Sequence, residues 1–198
     1  MLVQKDGGGL EITLLWKILV YGWVAAEILI GIATRTRSSG GKVKDRGSLV
    51  LIWVTIFLAI FAGEWVRAQT APNIFGGASW LPVAAILLLI AGLAIRATAI
   101  FSLGKAFSPN VAIRDNQTIY RGGLYRWLRH PAYTGSLLSF LAVGIDTRNW
   151  ITLIVIVAPI TAAFLYRIHV EEAALNEAFG AEYATYSQQT WRLIPGIY

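Results

Sequence analysis

The stretch WLPVAAILLLIAGLAIRATAIF, from Trp80 to Phe101, decides the fold. Its only charged residue is Arg96. A helix needs about 20 mainly apolar residues to cross roughly 30 Å of hydrocarbon, and this run supplies them. Pro82 falls in its opening turn, where a missing N–H costs little. The run therefore predicts a membrane-spanning helix.

Three further apolar regions flank it. They run from about Ile12 to Ala33, from about Leu49 to Trp65 and from about Tyr133 to Tyr166. The last is too long for one span. It is interrupted by Asp146-Thr147-Arg148-Asn149, a polar cluster that reads as a turn between two antiparallel helices, the first of them short. The expected fold is an all-α integral membrane protein of about five transmembrane helices with a C-terminal cytosolic helical cap. Residues 1–198 form a single membrane domain. Residues 1–101 carry the first three spans, and residues 102–198 carry the chemistry and two more spans.

Composition agrees. The chain is 56% hydrophobic and only 14% charged, against about a quarter charged in soluble domains. There is no cysteine, which excludes a disulfide framework, thiolate catalysis and cysteine-based metal sites. No metal is expected. The net charge of +6 reflects topology rather than nucleic acid. Arg35, Arg37, Lys42, Lys44 and Arg46 crowd the first connection. Lys105, Arg114, Arg121, Arg126 and Arg129 crowd the one after the third span. Other connections hold only Arg67 and Arg148. Basic connections stay cytoplasmic, so the N-terminus is expected outside and the C-terminus inside. The first apolar run follows a nearly neutral, glycine-rich start and reads as a retained span rather than a signal peptide.

Lys17, Glu27, Glu64, Arg67 and Arg96 fall in or near the spans. Intramembrane charge marks function by default, but residues near a span end can snorkel. Glu27, Glu64 and Arg96 are open between structural pairing and a substrate cavity.

The last third carries the chemistry. Pro131 suits the first turn of a helix, which puts His130 at that helix's N-terminus between Tyr125 and Tyr133. Arg167 and Glu171 are four apart and share a helical face; Glu172 points away from it. A cytosolic helix ending near Gly180 and a short one from Glu182 to about Gln189 follow. Taken singly, His130 is a helix cap and Arg167–Glu171 an ordinary ion pair. Gathered at one rim with aromatic residues, they read as a ligand site.

These residues resemble the isoprenylcysteine carboxyl methyltransferase family and, more distantly, the phospholipid N-methyltransferases. The matching blocks are G-x-Y-x-x-x-R-H-P-x-Y-x-G from Gly123 to Gly135, then Arg167 with Glu171 and Glu172, then F-G-x-E-Y-x-x-Y from Phe179 to Tyr186, then R-L-I-P-x-I from Arg192 to Ile197. The resemblance implies S-adenosylmethionine as methyl donor, with S-adenosylhomocysteine as product, in a cytosolic pocket roofed by the C-terminal segments. Carried over residue by residue, the donor is held by Gln117, Thr118, Ile119, Tyr120, Tyr125, His130, Pro131, Ala132, Tyr133 and Glu171. Arg167 matches the arginine beside the methyl acceptor. A family contact around Asn110 to Ile113 is not carried over, because that stretch is shorter here. The implied acceptor is a hydrophobic, prenylcysteine-like carboxylate reached from the bilayer.

A carboxylate acceptor is already ionised at neutral pH and needs no general base. Amine or thiol acceptors need one, and only His130 and Glu172 offer themselves. A sterol-type, NADPH-dependent membrane reductase shares an R-H-P-x-Y block but places glutamate after its glycine. Ser136 follows Gly135 here.

Overall fold

The computed structural model describes residues 7–35, 42–43, 47–104, 107, 112–113 and 118–198. The helices run in the order α1 (Gly7–Arg35), α2 (Ser48–Gln69), α3 (Leu81–Leu103), α4 (Pro131–Asp146), α5 (Trp150–Phe179) and α6 (Ala181–Gln188). Helices α1, α2, α3 and α5 are long and apolar enough to cross a membrane. Helix α4 has 16 residues, about 24 Å at 1.5 Å per residue. It is the short member of the antiparallel pair that the Asp146–Asn149 turn predicts.

That turn is stapled to the connection after α2. Asn149 caps α5 by accepting from the backbone nitrogens of Ile151 (2.9 Å) and Thr152 (3.1 Å). Its Nδ2 donates to Thr70 Oγ1 (2.7 Å) and to the Ala71 carbonyl (3.0 Å). The Arg148 carbonyl accepts from the nitrogens of Asn73 and Ile74. At the opposite end the two basic connections meet in a short antiparallel pairing of β1 (Lys42–Val43) with β2 (Ala112–Ile113), in register Lys42 with Ile113. The described parts of the two connections thus lie together at one end of the bundle.

Helices α3 and α4 touch backbone to backbone. A Cβ on Gly135 would stand 2.5 Å from the Gly92 carbonyl oxygen and 2.7 Å from the Arg96 nitrogen. Helix α2 packs on α5 differently, with Gly63 receiving the side chain of Ile156. Trp23, Leu89, Phe140, Ile156, Ile160 and Phe164 fill the core between the helices. Helix α1 packs chiefly on α3. Helix α5 does not stop at Tyr166: it runs unbroken through Pro159 to Phe179 and ends at Gly180, whose φ is 51°. Arg167, Glu171 and Glu172 therefore ride on a rigid extension of a spanning helix rather than on a separate segment.

Candidate functional site

The site begins where α4 begins. Pro131 occupies the first helical position and His130 precedes it. A tight turn over Gly123–Arg126 leads in, permitted by a left-handed Gly123 with φ 53°. This entry is paired with the C-terminal strap. The backbone nitrogens of Arg129 and His130 donate to the carbonyls of Trp191 (2.7 Å) and Arg192 (3.1 Å). Thr134 Oγ1 donates to the Leu193 carbonyl (2.8 Å). The R-L-I-P block is thus an architectural clamp on the R-H-P-A-Y turn, which explains why the two blocks go together.

Glu172 locks that clamp. Its two oxygens accept from Arg129 Nε (2.9 Å) and Arg192 Nε (2.9 Å), and His130 Nε2 lies 3.3 Å from Oε1. Arg129 also donates to the carbonyls of Ser187 and Thr190. Hydrogen bonding to Glu172 raises the pKa of Arg192 above its ordinary value, partly opposed by burial. A carboxylate held between two guanidinium groups is no general base, so the structure removes Glu172 from that role.

Glu171 faces the other way. It is partly exposed and accepts from the Tyr133 hydroxyl at 3.0 Å. The same hydroxyl accepts from Arg167 Nε (3.3 Å), and Arg167 Nη1 donates to Ser48 Oγ at the head of α2. Arg167 is 1% exposed. A line of polar groups, Ser48–Arg167–Tyr133–Glu171, therefore joins α2, α5 and α4.

Arg167, Tyr133 and Glu171 line a cavity of about 1520 Å³. Thr118, Ile119, Tyr120, Tyr125, His130, Ala132, Tyr133, Arg167 and Glu171 all contribute to its wall. Pro131 is buried at the helix head, behind the wall. Gln117 lies outside the described residues, as do Asn110 and Val111. Tyr125 is fixed by a bond from the Tyr186 hydroxyl to its carbonyl (2.7 Å) and packs edge-on to Tyr120. Burial pushes the phenols of Tyr125 and Tyr186 up, Tyr186 to about 12, so both present neutral aromatic surface at physiological pH. Beyond the polar rim the cavity continues along α1 and α2, past Trp16, Val20, Ile52 and Ile56, to Glu64, Arg67 and Arg148 at the far end.

Glu27 and Arg96 prove to be both a pair and cavity wall. Glu64 and Arg67 form an exposed pair on one helix (2.7 Å). Sequence reasoning missed Ser48, Arg129 and Arg192 as site-building groups. Arg129 and Arg192 sat inside quoted blocks, whereas Ser48 carries no sequence signal. Among the described residues no cluster of His, Asp and Glu has a metal-holding arrangement.

Fold and site together define a multi-span helical membrane protein with a chamber reaching from one polar rim into the apolar interior. Residues 84–177 match the model of the isoprenylcysteine carboxyl methyltransferase family. Protein-S-isoprenylcysteine O-methyltransferase B of Arabidopsis thaliana is 29% identical over 120 residues, covering 60% of this chain and 61% of the relative. The Rattus norvegicus enzyme is 31% identical over 121 residues, covering 60% of this chain and 43% of the relative. The solved structure of a eukaryotic intramembrane Ras methyltransferase of this type is similar at a TM-score of 0.55 and 26% identity, over 75% of this chain and 52% of that one. The match thus spans less than two thirds of these relatives. Over residues 84–177 the chain is similar to the isoprenylcysteine carboxyl methyltransferase family.

Proposed function

We propose that this protein transfers a methyl group from S-adenosylmethionine to the carboxylate of a lipophilic, prenylcysteine-like acceptor at the cytosolic face of the membrane. The observation that carries the reading is the single chamber that joins a polar rim, at Tyr125, His130, Tyr133, Arg167 and Glu171, to an apolar interior. The names of the relatives support the acceptor class.

The wall suits the donor. Glu171 offers a partly exposed carboxylate to a cationic ammonium. Neutral aromatic faces at Tyr125 and Tyr120 favour a sulfonium. Thr118 to Tyr120 and the His130–Tyr133 turn border the same space. Bound there, the donor supplies a methyl carbon to the acceptor's carboxylate oxygen as its C–S bond breaks, leaving neutral thioether and ester without proton transfer. The chain's residues then have two tasks. Arg167, buried and braced by Ser48 and Tyr133, holds its positive charge where an acceptor carboxylate can bind. Tyr133, fixed between Arg167 and Glu171, sets the spacing between the two ligands' sites, and such orientation is the main source of rate in a displacement. The apolar interior takes the lipid tail.

The test uses purified protein in nanodiscs, labelled donor and an S-prenylated cysteine with a free carboxylate. Base-labile label in the acceptor is expected, and none in the acceptor's methyl ester. Glu171→Ala should weaken S-adenosylhomocysteine binding by about tenfold or more, as loss of a charged hydrogen-bonding partner does. Arg167→Ala should retain that binding and lose turnover. Folded protein that neither binds S-adenosylhomocysteine nor methylates the acceptor overturns the reading.

A further inference from the structure

Glu27 and Arg96 stand within spanning helices α1 and α3, far from either end of the family blocks, and the mechanism above does not use them. They form a two-pronged ion pair: Arg96 Nε to Glu27 Oε1, and Arg96 Nη2 to Glu27 Oε2 at 2.6 Å. Trp23 Nε1 also donates to Glu27 (3.2 Å). The pair is partly buried, and desolvated pairs rarely add stability over well-packed apolar residues, so its presence asks for another reason.

The third prong of Arg96 gives one. Its Nη1 donates to the carbonyl of Ala132 at 3.2 Å. Ala132 lies between His130 and Tyr133, inside the turn that builds the donor wall, and lines the chamber itself. The contact is made possible by the α3–α4 crossing. Gly92 and Gly135 admit no side chain there, and Arg96, one helical turn beyond Gly92, is carried directly beneath the first turn of α4. On its other side, Arg96 grips α1, which forms a long wall of the apolar chamber and packs chiefly on α3. One guanidinium thus holds both the donor turn and the acceptor wall.

We propose that Arg96 is a positioning residue that fixes the His130–Tyr133 turn through the Ala132 carbonyl, and that Glu27 orients Arg96 while tying α1 to that turn. This rests on the methyl-transfer reading above. The pair would keep the donor site and the acceptor chamber in one relative position.

Two variants separate positioning from bracing. Arg96→Lys keeps a cation opposite Glu27 but lacks the planar fork that reaches two partners at once. The double reversal Glu27→Arg with Arg96→Glu keeps an ion pair but leaves no donor for the Ala132 carbonyl. Thermal unfolding and calorimetric titration with S-adenosylhomocysteine are measured on each, beside wild type in the same nanodiscs. Both variants are expected to melt with wild type and to bind about tenfold more weakly, the loss of a charge-assisted hydrogen bond. Wild-type affinity in both, or failure of both to fold, marks the pair as a brace and overturns the proposal alone. Absence of binding by folded wild type overturns it together with the methyl-transfer reading.

Discussion

At the scale of single residues, adjacent glutamates have opposite duties. Glu171 opens to the chamber, while Glu172 is enclosed by Arg129, His130 and Arg192. Successive helical residues are 100° apart, and that angle alone sends one carboxylate to the chamber and its neighbour to the architecture. Glu172→Gln should therefore act on stability. Removing one partner from a buried charge cluster costs about 3 kcal/mol, read as a lowered unfolding temperature, with the entry turn's amides at Arg129 and His130, which donate to the strap, exchanging faster. Unchanged unfolding in Glu172→Gln would refute the clamp. The split between the two glutamates was legible in the sequence as a difference of face. Their partners were not, because Arg129 and Arg192 lie 43 and 20 residues from Glu172 along the chain and only folding brings them to it. The same holds for Arg167, whose spacing to Glu171 was readable but whose bond to Ser48 crosses 119 residues.

At the scale of elements, hydropathy located α1, α2 and α3 within about five residues at each end, because a span must be apolar throughout whatever it packs on. Helix α4 was readable only through its boundaries, the Pro131 start and the Asp146–Asn149 turn. The length of α5 was not readable. Its polar last third looks like a new segment, yet nothing breaks the backbone before Gly180. Close helix approach was equally hidden: Gly92 and Gly135 look like ordinary glycines in apolar runs until the crossing is seen. Gly135→Ala tests that crossing. Its Cβ would sit 2.5 Å from a backbone oxygen and 2.7 Å from a backbone nitrogen, neither able to swing aside. The helices must part, so a loss of about 1–3 kcal/mol is expected from overpacking, accompanied by weakened S-adenosylhomocysteine binding as Arg96 and Ala132 separate. An alanine variant as stable as wild type would show that α3 and α4 do not meet there.

At the scale of the whole molecule, each end of the bundle has its own chemistry. One end gathers the basic connections, the clamp and the chamber's polar rim. The other carries the Asn149 staple with Thr70 and Ala71. The absence of cysteine makes orientation simple to measure. A single cysteine at Gln188 should be protected from an impermeant thiol reagent added to intact cells, and one at Ala71 should react. The reverse pattern would invert the proposed topology.

The chamber wall has a kinetic consequence. Val24 and Trp53 line it, yet each is about half exposed, at 48% and 49%, on helices long and apolar enough to cross a membrane. On the proposed methyl-transfer reading, a greasy acceptor arrives by diffusing in two dimensions, and annular lipid competes for the same volume. Reaction order in acceptor is then set by its mole fraction among lipids rather than by its amount per litre. Adding inert phospholipid at constant total acceptor should slow turnover, while diluting the whole suspension with buffer at saturating donor should leave the rate per enzyme unchanged.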